Sequence, residues 1–319
     1  MTTKSNDQGR AYEYAWGAAL RDAIAKIREV KLVQNSSLSA NAKAWSAMSK
    51  EMKQTLNTSA KAAVDLILEL EPLAIELDGD VLTLVFQQDS KGEGGDVRDL
   101  LLVRETIKWQ VGLSIKHNHE AVKHSRISSS IDFGREWFEI PCSSQYWQEV
   151  SPIFEKLQES RSQGVKWREF PNKEKNVYVP LLIAFVNEIK RAYEKDKGLP
   201  RRMVEYLIGK YDYYKVISHD NDLMTVVRTF NIHRTLNKRS KIKISSITVP
   251  IVKLPSELIE IRVKPGSNTT VEMFLNEGWQ LSFRIHSAST IVQPSLKFDI
   301  QFIGIPEGIQ TFECKWSRQ

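Results

Sequence analysis

The chain has 319 residues with 45 Lys/Arg against 39 Asp/Glu, a formal charge of +6, 41% hydrophobic and 26% charged residues. Those values exclude a disulfide-stapled miniprotein, a disordered chain and a collagenous one, and they leave one large or two ordinary globular domains with a real core. No apolar run approaches the roughly 20 residues that cross a bilayer, and the polar stretch Met1 to Arg10 has no signal-peptide core behind it, so a cytoplasmic protein without membrane association is expected.

Asn6 or Asp7 can cap a first helix in which Tyr12, Trp16, Leu20, Ile24 and Ile27 recur at three-to-four spacing, which predicts an amphipathic helix through Ile27. Ala40 to Leu70, with Trp45, Met48, Met52, Leu56, Ala63 and Leu66, predicts one long or broken helix. The period then changes. Val81 to Phe86 reads as a strand, Lys91 to Gly95 as a Gly-rich turn, and Leu100 to Val103 as a short buried strand. Trp109, Val111, Leu113 and Ile115 alternate with Lys108, Gln110, Gly112, Ser114 and Lys116, which is the period of a strand. The few residues around Glu105 and Thr106 make the pair a hairpin.

Helices are predicted at Tyr146 to Glu159, Asn176 to Asp196 and Arg201 to Ile208, and beyond Ser240 short strands punctuated by Pro and Gly follow. Cys142 and Cys314 form no CxxC pair and are expected as buried free thiols. The charged, Gly/Pro-containing segment Lys195 to Pro200 predicts a boundary, with an α/β core over residues 1–197 and a basic, β-rich region over 198–319.

The positive excess is local. Arg201 to Lys243 holds ten Lys/Arg and four acids, so this stretch alone carries +6. Within it Arg234, Lys238, Arg239, Lys241 and Lys243 have no acid among them, and tyrosines 206, 211, 213 and 214 lie just upstream. A phosphate-contacting surface has this composition, and so does a solvated face.

Asp99 stands immediately before Leu100–Val103, and Lys116 ends the next strand. If the connecting loop has an even number of residues, Asp99 pairs with an even-numbered position, and Asp99, Ser114 and Lys116 project together. A carboxylate there can hold a divalent ion beside a phosphate, and a lysine can direct the attacking water and stabilise charge in the transition state. Glu13 lies on the apolar stripe of the first helix, where an unpaired carboxylate is costly to bury. Its partner is either a basic side chain or a metal ion shared with Asp99.

Gly9–Arg10–Ala11–Tyr12–Glu13 has the form GxxxE. With an Asp before an apolar strand and xxK at the end of the next, it resembles the PD-(D/E)XK nuclease core, which implies a mixed sheet flanked by helices. That core carries an acid two residues before the lysine, where this chain has Ser114, and a hydroxyl is a poor magnesium ligand. Glu13 is the candidate for the missing charge, with Asp99 and the Ile115 backbone carbonyl as the other metal-binding oxygens.

His117–Asn118–His119 spells HNH, but that motif spreads its residues over a hairpin and a helix, and three adjacent letters do not make it. Zinc lacks supporting cysteines or an HExxH helix. Ser114, His117 and His119 are expected around the metal-binding groups without ligating the ion. A short basic turn of helix is expected after Asn118, its cap, from which Lys123, His124 and Arg126 reach phosphates or base edges.

Gly95–Asp96–Val97–Arg98–Asp99, Gly112–Leu113–Ser114–Ile115–Lys116–His117–Asn118–His119 and Lys123–His124–Ser125–Arg126 are similar to the HaeIII family of type II restriction endonucleases. Gly9 to Trp16, Gln34 to Leu38 and Glu69 to Leu73 are similar too. The resemblance implies cleavage of double-stranded DNA at GGCC, dependence on Mg2+, and a companion cytosine methyltransferase that protects the host. A palindromic target then implies a homodimer, because two identical half-sites match a two-fold pair. Two other readings compete with it: a structure-selective repair or recombination nuclease, and a DNA-binding regulator on a degenerate nuclease fold.

Overall fold

The computed structural model describes residues 5–88, 95–241, 244–287 and 289–317. Most of the Gly-rich turn predicted from Lys91 and the basic residue Lys243 lie outside the described residues. In chain order the first elements are α1 (Ser5–Ile24), β1 (Val30–Leu32), α2 (Ser36–Ser46), α3 (Lys50–Leu70), β2 (Leu82–Phe86), β3 (Leu100–Arg104), β4 (Trp109–His117) and β5 (Lys123–Ser128). There follow α4 (Phe133–Phe138), α5 (Ser144–Ser162), α6 (Val179–Lys195), α7 (Leu199–Ile208), β6 (Tyr213–His219) and β7 (Met224–Phe230). The chain closes with β8 (Leu258–Val263), β9 (Thr270–Leu275), β10 (Gln280–His286), β11 (Ser295–Gly304) and β12 (Thr311–Lys315).

Two compact units result, and each is drawn from separated stretches. One comprises Met1–Glu120, Lys210–Val252 and Gly308–Gln319, the other Ala121–Gly209 and Lys253–Glu307. The boundary expected at residue 197 therefore falls inside the second unit, between α6 and α7. The cause is strand pairing: β6 lies parallel to β4, with Leu113 opposite Tyr214, so the basic stretch after Lys210 joins the sheet that β1 to β4 began.

In the first unit the sheet is mixed, in the order β1-β2-β3-β4-β6-β7-β12. Its core is built from the stripe predicted for α1, where Tyr12, Trp16, Leu20 and Ile24 are fully buried against Leu100, Leu102, Leu113 and Ile115 of the sheet and Leu56, Ala63 and Ile67 of α3. The helix stops at Ile24, short of the predicted end, and Ile27 stays 39% exposed. The predicted helix over Ala40 to Leu70 is two helices. Asn35 caps α2 by accepting from the Leu38 N–H, and Ser49 caps α3 by accepting from the Met52 N–H, so each start satisfies an otherwise orphaned donor.

The second unit carries an antiparallel sheet, β5-β11-β10-β9-β8, which supplies the β-rich character predicted for the C-terminal region. Its core is aromatic: Phe185 of α6 meets Phe298 at 4.8 Å and Trp137 at 5.7 Å between ring centres. The helical turn expected at Lys123 to Arg126 is instead β5, with Arg126 opposite Lys297 and His124 opposite Asp299. Ser125 and Ile127 point inward and His124 and Arg126 outward, so the segment follows the strand period and its partner lies far along the chain. Both cysteines are free, Cys142 buried and Cys314 half-buried. Among the described residues no helix is long and apolar enough to cross a membrane.

Glu71, just after α3, is fully buried, and its Oε1 accepts from the Asn237 N–H and the Tyr214 hydroxyl, both at 2.7 Å. Burial nevertheless pushes its carboxyl up to about 7. An acid whose folded value lies above its unfolded one contributes stability that is complete below the unfolded value, 4.5, and is lost as pH rises through about 7. Stability should therefore fall as pH climbs from about 5 to about 8. Glu71→Gln, which cannot titrate, should flatten that slope in urea denaturation across the range; an unaltered slope would contradict the assignment.

Candidate active site

Four residues, Glu105–Thr106–Ile107–Lys108, join β3 to β4, and Lys108 adopts a left-handed φ of 51° to close the turn. The register runs from Arg104 opposite Trp109 to Leu100 opposite Leu113. One step further the even loop brings Asp99 against Ser114, so Asp99, Ser114 and Lys116 share a face, as the sequence predicted. The Asp99 backbone is held on both sides, its N–H donating to the Leu113 carbonyl at 2.7 Å and its carbonyl accepting from the Gln87 N–H at 2.9 Å.

The Asp99 carboxylate takes two bonds on one oxygen. Oδ2 accepts from the Ile115 N–H at 2.6 Å and from Lys116 Nζ at 3.0 Å. The N–H and C=O of a strand residue face the same neighbour, so the Ile115 carbonyl looks toward the same edge.

Glu13 arrives from α1, one residue along from buried Tyr12, and its Oε2 accepts from Asn41 Nδ2 of α2 at 2.8 Å. Burial pushes its carboxyl up to about 8 and the charge of Asp99 pushes the same way, while Lys116, the Asn41 bond and Arg10 pull it down. Glu13 therefore feels both Asp99 and Lys116. Three residues from three elements converge here: Glu13, Asp99 and Lys116. The available donors are all oxygens, two of them carboxylates that repel, and such a set fits a hard divalent cation better than zinc.

Sequence reasoning missed the next row of the sheet. Lys215 on β6 lies directly across from Ser114, is 3% exposed, and donates from Nζ to the Glu120 carbonyl at 3.0 Å. Burial first, and Lys116 second, lower its value to about 7. Glu120 in turn binds Arg228 at 2.6 Å and His219 at 3.0 Å. A lone lysine in the apolar run Tyr213 to Ile217 was the available signal, since a buried cation needs partners.

The His117–Glu120 segment is a latch, neither an HNH motif nor a helix start. His117 Nε2 meets Asp220 Oδ2 at 2.8 Å, and Asn118, at a left-handed φ of 52°, accepts from the Asp220 N–H on Oδ1 at 2.9 Å. The Asn118 N–H donates to the Ser218 carbonyl at 2.8 Å. Burial works against Asp220, but hydrogen bonds from His117 and Ser218 outweigh it and hold its carboxyl below the usual value. His119 belongs to this loop, between Asn118 and Glu120.

The basic segment after β7 is fixed by its backbone. Glu76 Oε1 accepts from the Lys241 N–H at 2.7 Å and the Ser240 hydroxyl at 2.9 Å, and Glu71 holds the Asn237 N–H. Arg234, Lys238, Arg239 and Lys241 are exposed. In the second unit Lys123 is occupied: its Nζ sits 3.5 Å from the centre of the Tyr206 ring and donates to the Tyr206 carbonyl at 3.0 Å. His124 lies 3.8 Å from Asp299, and Arg126 donates to Ser295 Oγ at 3.0 Å.

The family profile described as HaeIII restriction endonuclease matches residues 9–306, from the start of the GxxxE string to the end of the second sheet. The chain belongs to the HaeIII restriction endonuclease family. It is 49% identical over 317 residues to the Type II restriction enzyme HaeIII of Haemophilus aegyptius, covering 99% of both chains. No solved structure matches. Membership in this family makes the protein a type II restriction endonuclease, a site-specific hydrolase of DNA.

For this endonuclease family member, Gly112 is the tightest point of the hairpin. Arg98 crosses it, held by Asp96 at 2.7 Å and 2.8 Å, and a Cβ on Gly112 would fall 2.1 Å from Arg98 Cδ. Gly112→Ala should therefore cost about 1 to 3 kcal/mol by overpacking and displace the residue next to Asp99. Denaturation and DNA cleavage measured together check this; wild-type values in both would contradict it.

Proposed function

We propose that the protein hydrolyses both strands of double-stranded DNA at GGCC, acting in the cytoplasm as a homodimer beside a companion cytosine methyltransferase, with Asp99, Glu13 and the Ile115 carbonyl binding Mg2+. The observation that carries this reading is the convergence of Glu13, Asp99 and Lys116 at the mouth of the β3–β4 hairpin. The family resemblance of the sequence supplies the target, and the PD-(D/E)XK resemblance supplies the division of roles.

In the reaction a water oxygen bonds to phosphorus, one P–O ester bond breaks, and the leaving oxygen gains a proton. A bound divalent ion supplies neutralisation of the phosphate charge. Lys116, 3.0 Å from Asp99 here, turns its ammonium to the phosphate oxygens and the attacking water. The Ile115 N–H keeps Asp99 Oδ2 oriented, and Asn41 does the same for Glu13. Ser114, opposite Lys215, orients water without ligating metal, and His117 and His119 stay within the latch. Arg234, Lys238, Arg239, Lys241 and Lys243, with His124 and Arg126 on β5, add phosphate contacts, while Lys123 shapes β5 through Tyr206.

Plasmid digestion with magnesium, followed by mapping of the ends, tests the target. Asp99→Ala and Lys116→Ala should each lose cutting by at least about a hundredfold while still binding DNA; full activity in either would sink the assignment. Glu13→Gln should fold, bind and cut poorly with partial rescue by manganese, whereas Ser114→Ala keeps most activity. A tolerant Glu13 with an intolerant Ser114 would move the second acidic role elsewhere. Sedimentation of the Asp99→Ala protein on one duplex should give two chains per site, and a single chain would contradict the dimer.

A further inference from the structure

Away from the catalytic row, the first unit carries a cleft of about 440 Å³ lined by Lys108, Gln110, Lys210, Tyr211, His233 and Lys238, among others. Its chemistry is one-sided. The three lysines are exposed, and none forms an ion pair among the described residues. The acid at its wall, Asp212, spends its carboxylate on the loop itself, accepting from the N–H groups of Ile232 (2.6 Å), His233 (2.8 Å) and Thr235 (2.8 Å) and from the Thr235 hydroxyl (2.8 Å). Tyr211 is 46% exposed, its ring centre 4.2 Å from the Arg98 guanidinium. Asp96 already holds that guanidinium, so Arg98 works as a rigid backing for the ring.

The cleft has a defined relation to the catalytic residues. Gln110, Gly112, Ser114 and Lys116 alternate onto one face of β4, and Arg98 lies across that face at Gly112. The six residue steps from Lys116 to Gln110 span about 20 Å of extended strand. Duplex DNA carries one phosphate per roughly 3.4 Å of axis on each strand, so 20 Å corresponds to about six base-pair steps. A target of four base pairs ends before that.

We propose that this cleft anchors the sugar–phosphate backbone of the duplex flanking the target, up to about six base pairs from the scissile bond. The inference rests on the catalytic role assigned above to Asp99 and Lys116. Three ammonium groups and a tyrosine hydroxyl contact phosphates without reading base edges, so the anchoring is independent of the flanking sequence.

Binding without divalent ion is measured on two duplexes that share one GGCC. One ends two base pairs beyond the target on each side, and the other continues for a full helical turn. Wild type should bind the longer duplex more tightly. Lys108→Ala combined with Lys210→Ala should lose most of that gain and lower the log–log salt slope on the long duplex by roughly 1.8, at about 0.9 per contact. Tyr211→Phe keeps the ring on Arg98, removes only the hydroxyl, and should lose part of the gain. A length dependence untouched in the double variant overturns the inference, and so does an equal loss on both duplexes, which would assign the lysines to the target itself. Failure of the wild type to cut at GGCC would overturn the catalytic reading instead, because the length dependence is read without cutting.

Discussion

The bond from the Ile115 N–H to Asp99 Oδ2 is the constraint on which the rest of the site depends. It exists because the β3–β4 turn has four residues, an even number, which brings Asp99 to the face of Ser114 and Lys116. A loop one residue longer or shorter would turn Lys116 to the face packed under α1, where Leu113 and Ile115 now lie, and bury an ammonium in the core. Hydrophobic patterning and the geometry of the candidate site therefore enforce the same register: the four leucine and valine residues after Asp99 cannot shift without moving the carboxylate. The bend at Asp99, tied to Gln87 and Leu113 through its backbone, fixes the remaining freedom.

Acidic residues recur in a second capacity. Glu71 and Glu76 are buried carboxylates that accept backbone N–H groups of the basic segment, and Asp212 does the same for Ile232 to Thr235. Their charges are used up on peptide groups. A surface dense in lysine and arginine is thereby given a fixed backbone without losing its field, which salt bridges to the same side chains would cancel. At Glu76 the Lys241 N–H and the Ser240 hydroxyl, with Arg104, outweigh the cost of burial and keep the carboxyl below its ordinary value. At Glu71 burial wins, and the carboxyl rises. Desolvation leads at Glu71, whereas at Glu76 the Lys241 N–H leads and Arg104 adds a direct bond where Glu71 has a neutral hydroxyl and an amide.

What was legible in the sequence was local or periodic. The stripe of α1, the β3–β4 hairpin and the shared face of Asp99 and Lys116 follow from spacing alone, and the inward position of Glu13 follows from its place on that stripe. Lys123 to Arg126 misled because four polar residues carry almost no periodic signal, and the strand they form is imposed by β11 at the other end of the chain. The unit boundary failed for the same reason: Lys195 to Pro200 is composed like a linker, yet the division follows strand pairings between Leu113–His117 and Tyr214–Ser218 that no window of sequence contains. Lys215 and Glu120 were invisible as partners because they lie 95 positions apart.

Those long-range pairings also account for Ser114. A carboxylate at that position would sit between Asp99 on one neighbouring strand and Lys215 on the other, in a part of the sheet where Ser114 itself is 4% exposed. Lys215 would pair with it, since an opposed acid and base on adjacent strands attract, and the acid would be drawn away from the edge where Asp99 and the Ile115 carbonyl look out. A serine leaves Lys215 bonded to the Glu120 carbonyl, keeping the latch closed behind Lys116. In the proposed site the second acid comes from α1 instead, where Asn41 orients Glu13. For the site proposed above, the serine at 114 goes with a buried cation one strand away: an acid there would pair with Lys215, and an acid carried by the helix does not.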